Sequence, residues 1–331
     1  MGWRGWAAAA WVIRRSAAAA VIVFTVVTVT FVAIHLAPGS PFLPGPDRAV
    51  DPAVIARLRH QFGLDQPLSV QYLLYLRNLA HGDLGYAYSQ GQWVKDVLAA
   101  AIPNTLLLSV TALTLDLGLG VLIGLVVAAR ARRATDVVLS NGSLFIYSVP
   151  AFWLGLVLIF VFADWLHWLP SGFTSTPGLY ESLPFFGKVW DRLTHLILPA
   201  LTLGLVGAAG TARYQRAALL ETLGRDFIRT ARAKGVSERR VLVVHALRNA
   251  LLPLITLAGL SLPFLLTGSV LIESVFSWPG MGRVATDAVL SRDHSLVTAV
   301  AIVASTLVVT GSLVADLLYA LADPRIRERA A

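Results

Sequence analysis

The first strong signal along the chain is a set of long apolar runs broken by short polar stretches. A helix that crosses the hydrocarbon of a bilayer needs about 20 mostly apolar residues. Six runs meet that length, at 17–37, 103–129, 137–163, 196–212, 250–272 and 296–321, the fourth broken early by Pro199. The first follows Arg14 and Arg15 and stops at Pro38-Gly39-Ser40-Pro41. Its apolar stretch is too long for a signal peptide and lacks a small-residue cleavage pattern, so it is read as a retained helix. The pattern predicts an all-α membrane protein with six transmembrane helices.

Between the runs lie polar segments of distinct kinds. Residues 1–16 precede the first span and 322–331 follow the last. The segment 38–102 opens a helix signal at Asp51-Pro52, an N-cap residue followed by proline. It then repeats Leu68, Tyr72, Tyr75, Leu76 and Leu79 at helical spacing. The segment 164–195 carries Trp165, Trp168 and Trp190, residues suited to the membrane–water interface. A further segment, 273–295, separates the last two spans, and the segment 213–249 is strongly basic.

Composition agrees. The chain is 56% hydrophobic and 14% charged, against about 25% charged for a soluble domain. Its net charge of +8 would raise nucleic-acid binding in a soluble protein. Here the cations flank apolar spans and act as topology signals. With the N-terminus placed inside, eighteen Lys and Arg fall on inner segments and nine on outer ones. Both termini are therefore predicted to be cytoplasmic. Absence of cysteine excludes disulfides, thiolate chemistry and Cys-based metal sites. None of the seven histidines, His35 to His294, stands in a zinc-binding spacing.

The basic segment 213–249 is the informative one. Leu220, Leu223, Phe227 and Ala231 share one face of a predicted helix, with Glu221 and Arg225 as an i,i+4 pair. Gly235 stops it in the manner of a C-terminal glycine. Ser237 is positioned to cap a second helix running to about Asn249, carrying Val241, Val244 and Leu247. Such a segment can lie on anionic lipid, or it can be a rigid handle gripped by a cytosolic partner.

Thr230-Ala231-Arg232-Ala233-Lys234-Gly235, followed by His245-Ala246-Leu247-Arg248-Asn249, resembles the coupling loop of binding-protein-dependent ABC importer permeases. The wider family writes Glu-Ala-Ala, two residues, Gly, nine residues, Ile, one residue, Leu-Pro. This chain keeps Ala231, Gly235 and Leu247. It has Thr230 for Glu, Arg232 for the second Ala, His245 for Ile and Arg248 for Pro, as in the dipeptide, oligopeptide and nickel permeases. The run Phe62 to Leu68, the run Gly82 to Tyr86, Ser148-Val149-Pro150-Ala151-Phe152-Trp153, the run Glu273 to Gly282, and the run Asp316 to Ile326 resemble the same subfamily. The long segment after the first span resembles its B-type subunit.

The resemblance implies a type I ABC importer permease fold in a prokaryotic inner membrane, serving di- or oligopeptide import. It implies a second homologous permease, two ATPase subunits and an external substrate-binding protein as partners, in membrane lipid and without nucleic acid. Contact with the ATPase would involve Thr230, Ala231, Arg232, Ala233, Lys234, Gly235, Ser237, Arg239, Arg240, His245 and Arg248. ATP and Mg would be bound by the partner and no cofactor by this chain. Consistently, Gly187-Lys188 has neither the glycine nor the Ser/Thr of a phosphate-binding loop. The chain is not expected to be an enzyme.

Asp116, Pro150, Phe152, Thr256 and Pro263 are the candidates for the pathway lining. A carboxyl mid-span must face protein or water, because a charge at the bilayer centre costs about 2.5–3.5 kcal/mol. Gly120, Gly124, Gly204, Gly207 and Gly210 read as close helix packing. Two other classes are weaker. An intramembrane enzyme using Asp116 would need a second catalytic group, and no Gly-x-Gly-Asp or Gly-x-Ser-Gly motif occurs. An ion-coupled secondary transporter would show internal repeats and paired interrupted helices.

Overall fold

In hydrocarbon every backbone polar group must find its partner within the chain, which leaves helices as the economical solution for these spans. A computed structural model describes residues 2–36, 65–251, 253–254, 257–259 and 270–322. Helix α1 (Gly2–Leu36) is followed by α2 (Leu68–Ala80) and a two-strand hairpin, β1 (Tyr86–Ala87) paired antiparallel with β2 (Gln92–Trp93). Then come α3 (Val94–Ala129), α4 (Ala134–Ser148) and α5 (Ala151–Leu158), which winds on as a π-helix over Ile159–Trp165. Helix α6 (Phe185–Leu223) leads into α7 (Asp226–Ala233) and α8, which is α-helical at Glu238–Arg240 and Leu247–Ala250 and π-helical at Val241–Ala246. The chain ends with α9 (Val270–Val275), α10 (Met281–Leu290) and α11 (His294–Ala322).

Stretches of α1, α3, α6 and α11 are each long and apolar enough to cross a membrane, and α4 with α5 forms a bent fifth candidate. The run predicted over 250–272 falls mostly outside the described residues, as do Thr256, Pro263 and Asp51-Pro52. Several hydroxyls within the spans return to carbonyls one turn earlier: Thr111 donates to Leu107 and Thr114 to Val110, each at 2.8 Å. That removes the cost of an unpaired hydroxyl in lipid.

Two spans differ from their predicted form. The run 137–163 is not one straight helix: it bends by 103° between α4 and α5. Pro150 causes the break, because its ring drives Val149 out of helical geometry to φ −79°, ψ 131°. Conversely, Pro199 does not break the fourth span; α6 runs through it. Pro199 and His195, the residue one turn earlier whose carbonyl it leaves without a helical donor, are both buried. Helix α6 also extends beyond 196–212 at both ends, and α3 starts nine residues before 103.

The most extensive helix contact is α3 against α6. Glycines permit it: a Cβ on Gly120 would lie 2.5 Å from Thr211, on Gly124 2.7 Å from Gln215, and on Gly204 2.7 Å from Leu115. Without a hydrophobic drive between helices in lipid, this close approach supplies the van der Waals contact that holds them. Apolar cores close both ends of the bundle. At one end Val94, Leu98, Met281, Ala288 and Leu296 gather the hairpin, α3, α10 and α11. At the other, Ala128 and Leu219 pack under α7 and α8.

Candidate coupling surface

Helix α6 ends at Leu223, and a short turn through Gly224 and Arg225 redirects the chain. Helix α7 then starts with Asp226, an acidic group at its positive end. The turn shifts the phase of the apolar face. The sequence pattern ran one helix through Leu220, Leu223, Phe227 and Ala231, but the break makes Ile228 and Ala231 the buried pair. Phe227 is instead 41% exposed. Ile228, fully buried, contributes about 1.5–3 kcal/mol to holding α7 against the bundle.

Gly235 ends α7 at φ +77°. Its N–H donates to Arg232 O at 2.9 Å and that of Val236 donates to Ala231 O at 3.2 Å, the paired bonds of a Schellman stop. Val236 packs on the same apolar cluster as Ala231. Arg232 then forms a two-point ion pair with Glu238, at 2.7 and 3.2 Å, across the hairpin. Ser237 occupies the N-cap position of α8 but makes no side-chain cap bond. Within α8, Val241, Ala246 and Ala250 are buried, while Val244 is exposed. The π-helix over Val241–Ala246 explains that difference, since its extra residue rotates the face away from a regular 3.6 period.

The result is a hairpin with two faces. Ile228, Ala231, Val241, Ala246 and Ala250 fasten it to Ala128 of α3 and Leu219 of α6. Phe227, Arg229, Thr230, Arg232, Ala233 and Lys234 point outward, with Arg239, Arg240, Val243, Val244 and Arg248. Of the residues named from the coupling motif, Ala231 is turned inward, His245 is half-buried, Gly235 acts through the backbone and the rest are exposed. Phe227 and Ile228 are neighbours in the chain, and the turn at Gly224 decides which of them is buried.

A second feature at this end escaped the sequence reading. Asp136, 5% exposed near the start of α4, accepts Arg216 Nε at 3.0 Å and Arg216 Nη2 at 2.9 Å. It also accepts the Arg132 backbone N–H at 2.8 Å and the Ser140 hydroxyl at 3.1 Å. Asp136 follows three arginines in sequence and reads there as an ordinary loop charge.

The pathway candidates are spread out. Asp116 on α3 accepts the Thr211 hydroxyl of α6 at 2.6 Å, over the gap left by Gly207, so it ties the helix pair together. Pro150 heads α5 and Phe152, two residues on, is exposed. At the opposite end, Glu273 is fully buried. It accepts Thr105 Oγ1 at 2.8 Å and the Arg283 N–H at the start of α10 at 3.1 Å. Thr105 accepts the Met281 N–H, and Trp278 donates to Asn104 O at 3.0 Å. The sequence between Glu273 and Gly282 is thus a turn bolted to the head of α3. A cavity of about 550 Å³ lies between α1, α2, the β-hairpin and α11, lined by His35, Gln71, Tyr75, Tyr88 and His294. Burial pushes the Tyr88 hydroxyl up to about 12, with Ser295 opposing and Asp293 reinforcing the shift.

Comparison with known proteins gives a consistent picture. Residues 120–328 match the family described as binding-protein-dependent transport system inner membrane component, and residues 9–109 its N-terminal component. The oligopeptide transport system permease protein AppB of Bacillus subtilis is 40% identical, over 96% of this chain and 99% of its own. The di/tripeptide permease protein DppB of Pseudomonas aeruginosa is 41% identical, over 92% and 95%. The dipeptide permease protein DppB of Escherichia coli K12 is 36% identical, over 91% and 93%. Among solved structures, the inward-facing MetNI methionine ABC transporter matches with a TM-score of 0.52 at 18% identity, covering 69% of this chain and 96% of that one. At that identity the match speaks for the fold.

Proposed function

This chain belongs to the family of binding-protein-dependent transport system inner membrane components, and from that premise we propose that it is the membrane-spanning permease subunit of an ATP-driven importer of di- or oligopeptides. It supplies half of the pathway, and a second, homologous permease supplies the other half. Two ATPase subunits bind ATP and Mg, and an external binding protein delivers the peptide. The membrane is the inner membrane of a prokaryotic cell.

One observation carries the coupling part of the reading: the hairpin formed by α7 and α8 is fastened on its apolar face and bare on its basic, aromatic face. A rigid helix anchored to two spans transmits displacement instead of absorbing it. ATP binding closes the ATPase pair and draws the two docked hairpins together, so the permeases open outward. Hydrolysis lets them return inward. The pathway is a matter of alternating exposure, and this chain breaks no bond. The peptide class is supported by the relatives named above, among them oligopeptide and dipeptide permeases.

The test is reconstitution of this chain with its partner permease, ATPases and binding protein in liposomes. Peptide uptake should require ATP and all the components. Uptake by this chain alone, driven by an ion gradient, would refute the proposal.

A further inference from the structure

The hairpin is joined by apolar packing to α3 and α6; among the described residues, none of α4 belongs to that cluster. Helix α4 is the inner arm of the broken third span. It packs on α6 through Tyr147, which faces Gly210 and the Arg213 guanidinium, and near its start its charged link to α6 is the Asp136 carboxylate, gripped at two points by Arg216 and closed by the Arg132 N–H and Ser140 hydroxyl. Arg216 lies ten residues before the start of α7. A bidentate guanidinium–carboxylate pair fixes orientation as well as distance. Beyond α4 the chain bends by 103° at Val149-Pro150. The far arm, α5, packs on α6 as well, but it adds α9, with Gly155 set against the Phe276 ring.

From this geometry we infer that the Asp136–Arg216 pair is a positioning contact that makes α4 move as one body with the cytoplasmic hairpin, while Val149-Pro150 serves as the hinge about which α4 turns against α5. The inference rests on the coupling role proposed above. Pro150 suits the hinge, because it keeps Val149 out of helical geometry and leaves no continuous hydrogen-bond ladder to resist bending. Motion then reaches the pathway by hinged rotation of a half-span.

Two measurements on the reconstituted assembly test it. The chain contains no cysteine, so label pairs can be introduced cleanly. With spin labels at Val138 and Val244, the distance should stay the same between nucleotide-free and ATP-trapped states, whereas a pair at Val138 and Trp153 should change. A nucleotide-dependent change in the first pair, or none in the second, overturns the inference. In Asp136→Asn the first distribution should broaden. Peptide moved per ATP hydrolysed should fall about tenfold, with the ATPase still co-purifying; Arg216→Lys, which keeps charge but not the fork, should fall between. An unchanged transport ratio in both variants overturns the inference. If Asp136→Asn does not assemble, the distances in the complex with native Asp136 decide, since they need no charge substitution. Failure of that complex to transport peptide refutes the permease reading itself and is seen before any charge variant is made.

Discussion

Replacing Gly235 separates a backbone requirement from a packing one. The residue sits at φ +77°, and a Cβ placed on it would meet nothing within 4 Å. Bulk is therefore tolerated, and the cost is conformational. An ordinary L-residue in that region costs about 1–2 kcal/mol, and a β-branched one more. Relief by unwinding would give up the bonds from Gly235 to Arg232 and from Val236 to Ala231, each worth about 0.5–1.5 kcal/mol net. The stop is thus strained or frayed by a factor of about 5–30 in its equilibrium. Asparagine enters this region with less strain than other non-glycine residues. Peptide-stimulated ATP hydrolysis by the reconstituted assembly should fall in the order Gly, Asn, Ala, Val. Asparagine and valine have similar volumes, which makes them the decisive pair. Equal activity of those two variants, or a valine variant as active as the parent, would refute the reasoning.

Three further outcomes are expected. Phe227→Ala should cut co-purification of the ATPase about tenfold or more, as loss of an aromatic anchor does, while thermal unfolding followed by tryptophan fluorescence stays nearly constant, because Phe227 packs no core. Glu273→Ala should destabilise the chain in the same assay by about 1–3 kcal/mol, since the Arg283 N–H loses its acceptor and the Thr105 hydroxyl its partner in a buried turn; a neutral result would show that the turn stands without its carboxylate. For Tyr88, the folded state holds the proton more tightly than the unfolded chain, whose ordinary value is 10.0. Its contribution is therefore present below about pH 10 and lost as pH rises toward about 12, and Tyr88→Phe should remove one of the late phases of an ultraviolet tyrosine titration, that of Tyr75, which burial pushes higher still, remaining.

Much of this protein is fixed by local chemistry. Unbroken apolar runs of about 20 residues have no stable place in water, so the spans and their helical form follow from sequence alone. The glycines at 120, 124 and 204 announce close packing because nothing but a neighbouring helix explains them there. The stop at Gly235 is equally local, since one residue's backbone freedom decides it.

What needed the tertiary structure were outcomes settled by partners distant in sequence. Pro150 and Pro199 are alike as residues, yet one sits at a 103° bend between two helices and the other lies buried inside a continuous helix. Phe227 and Ile228 trade places because a turn at Gly224 resets the helical phase, and a π-helix does the same to Val244. Asp136 and Arg216 are 80 residues apart. Their charges carry no mark of each other in the sequence, and only the packing of α4 against α6 brings them to 2.9 Å.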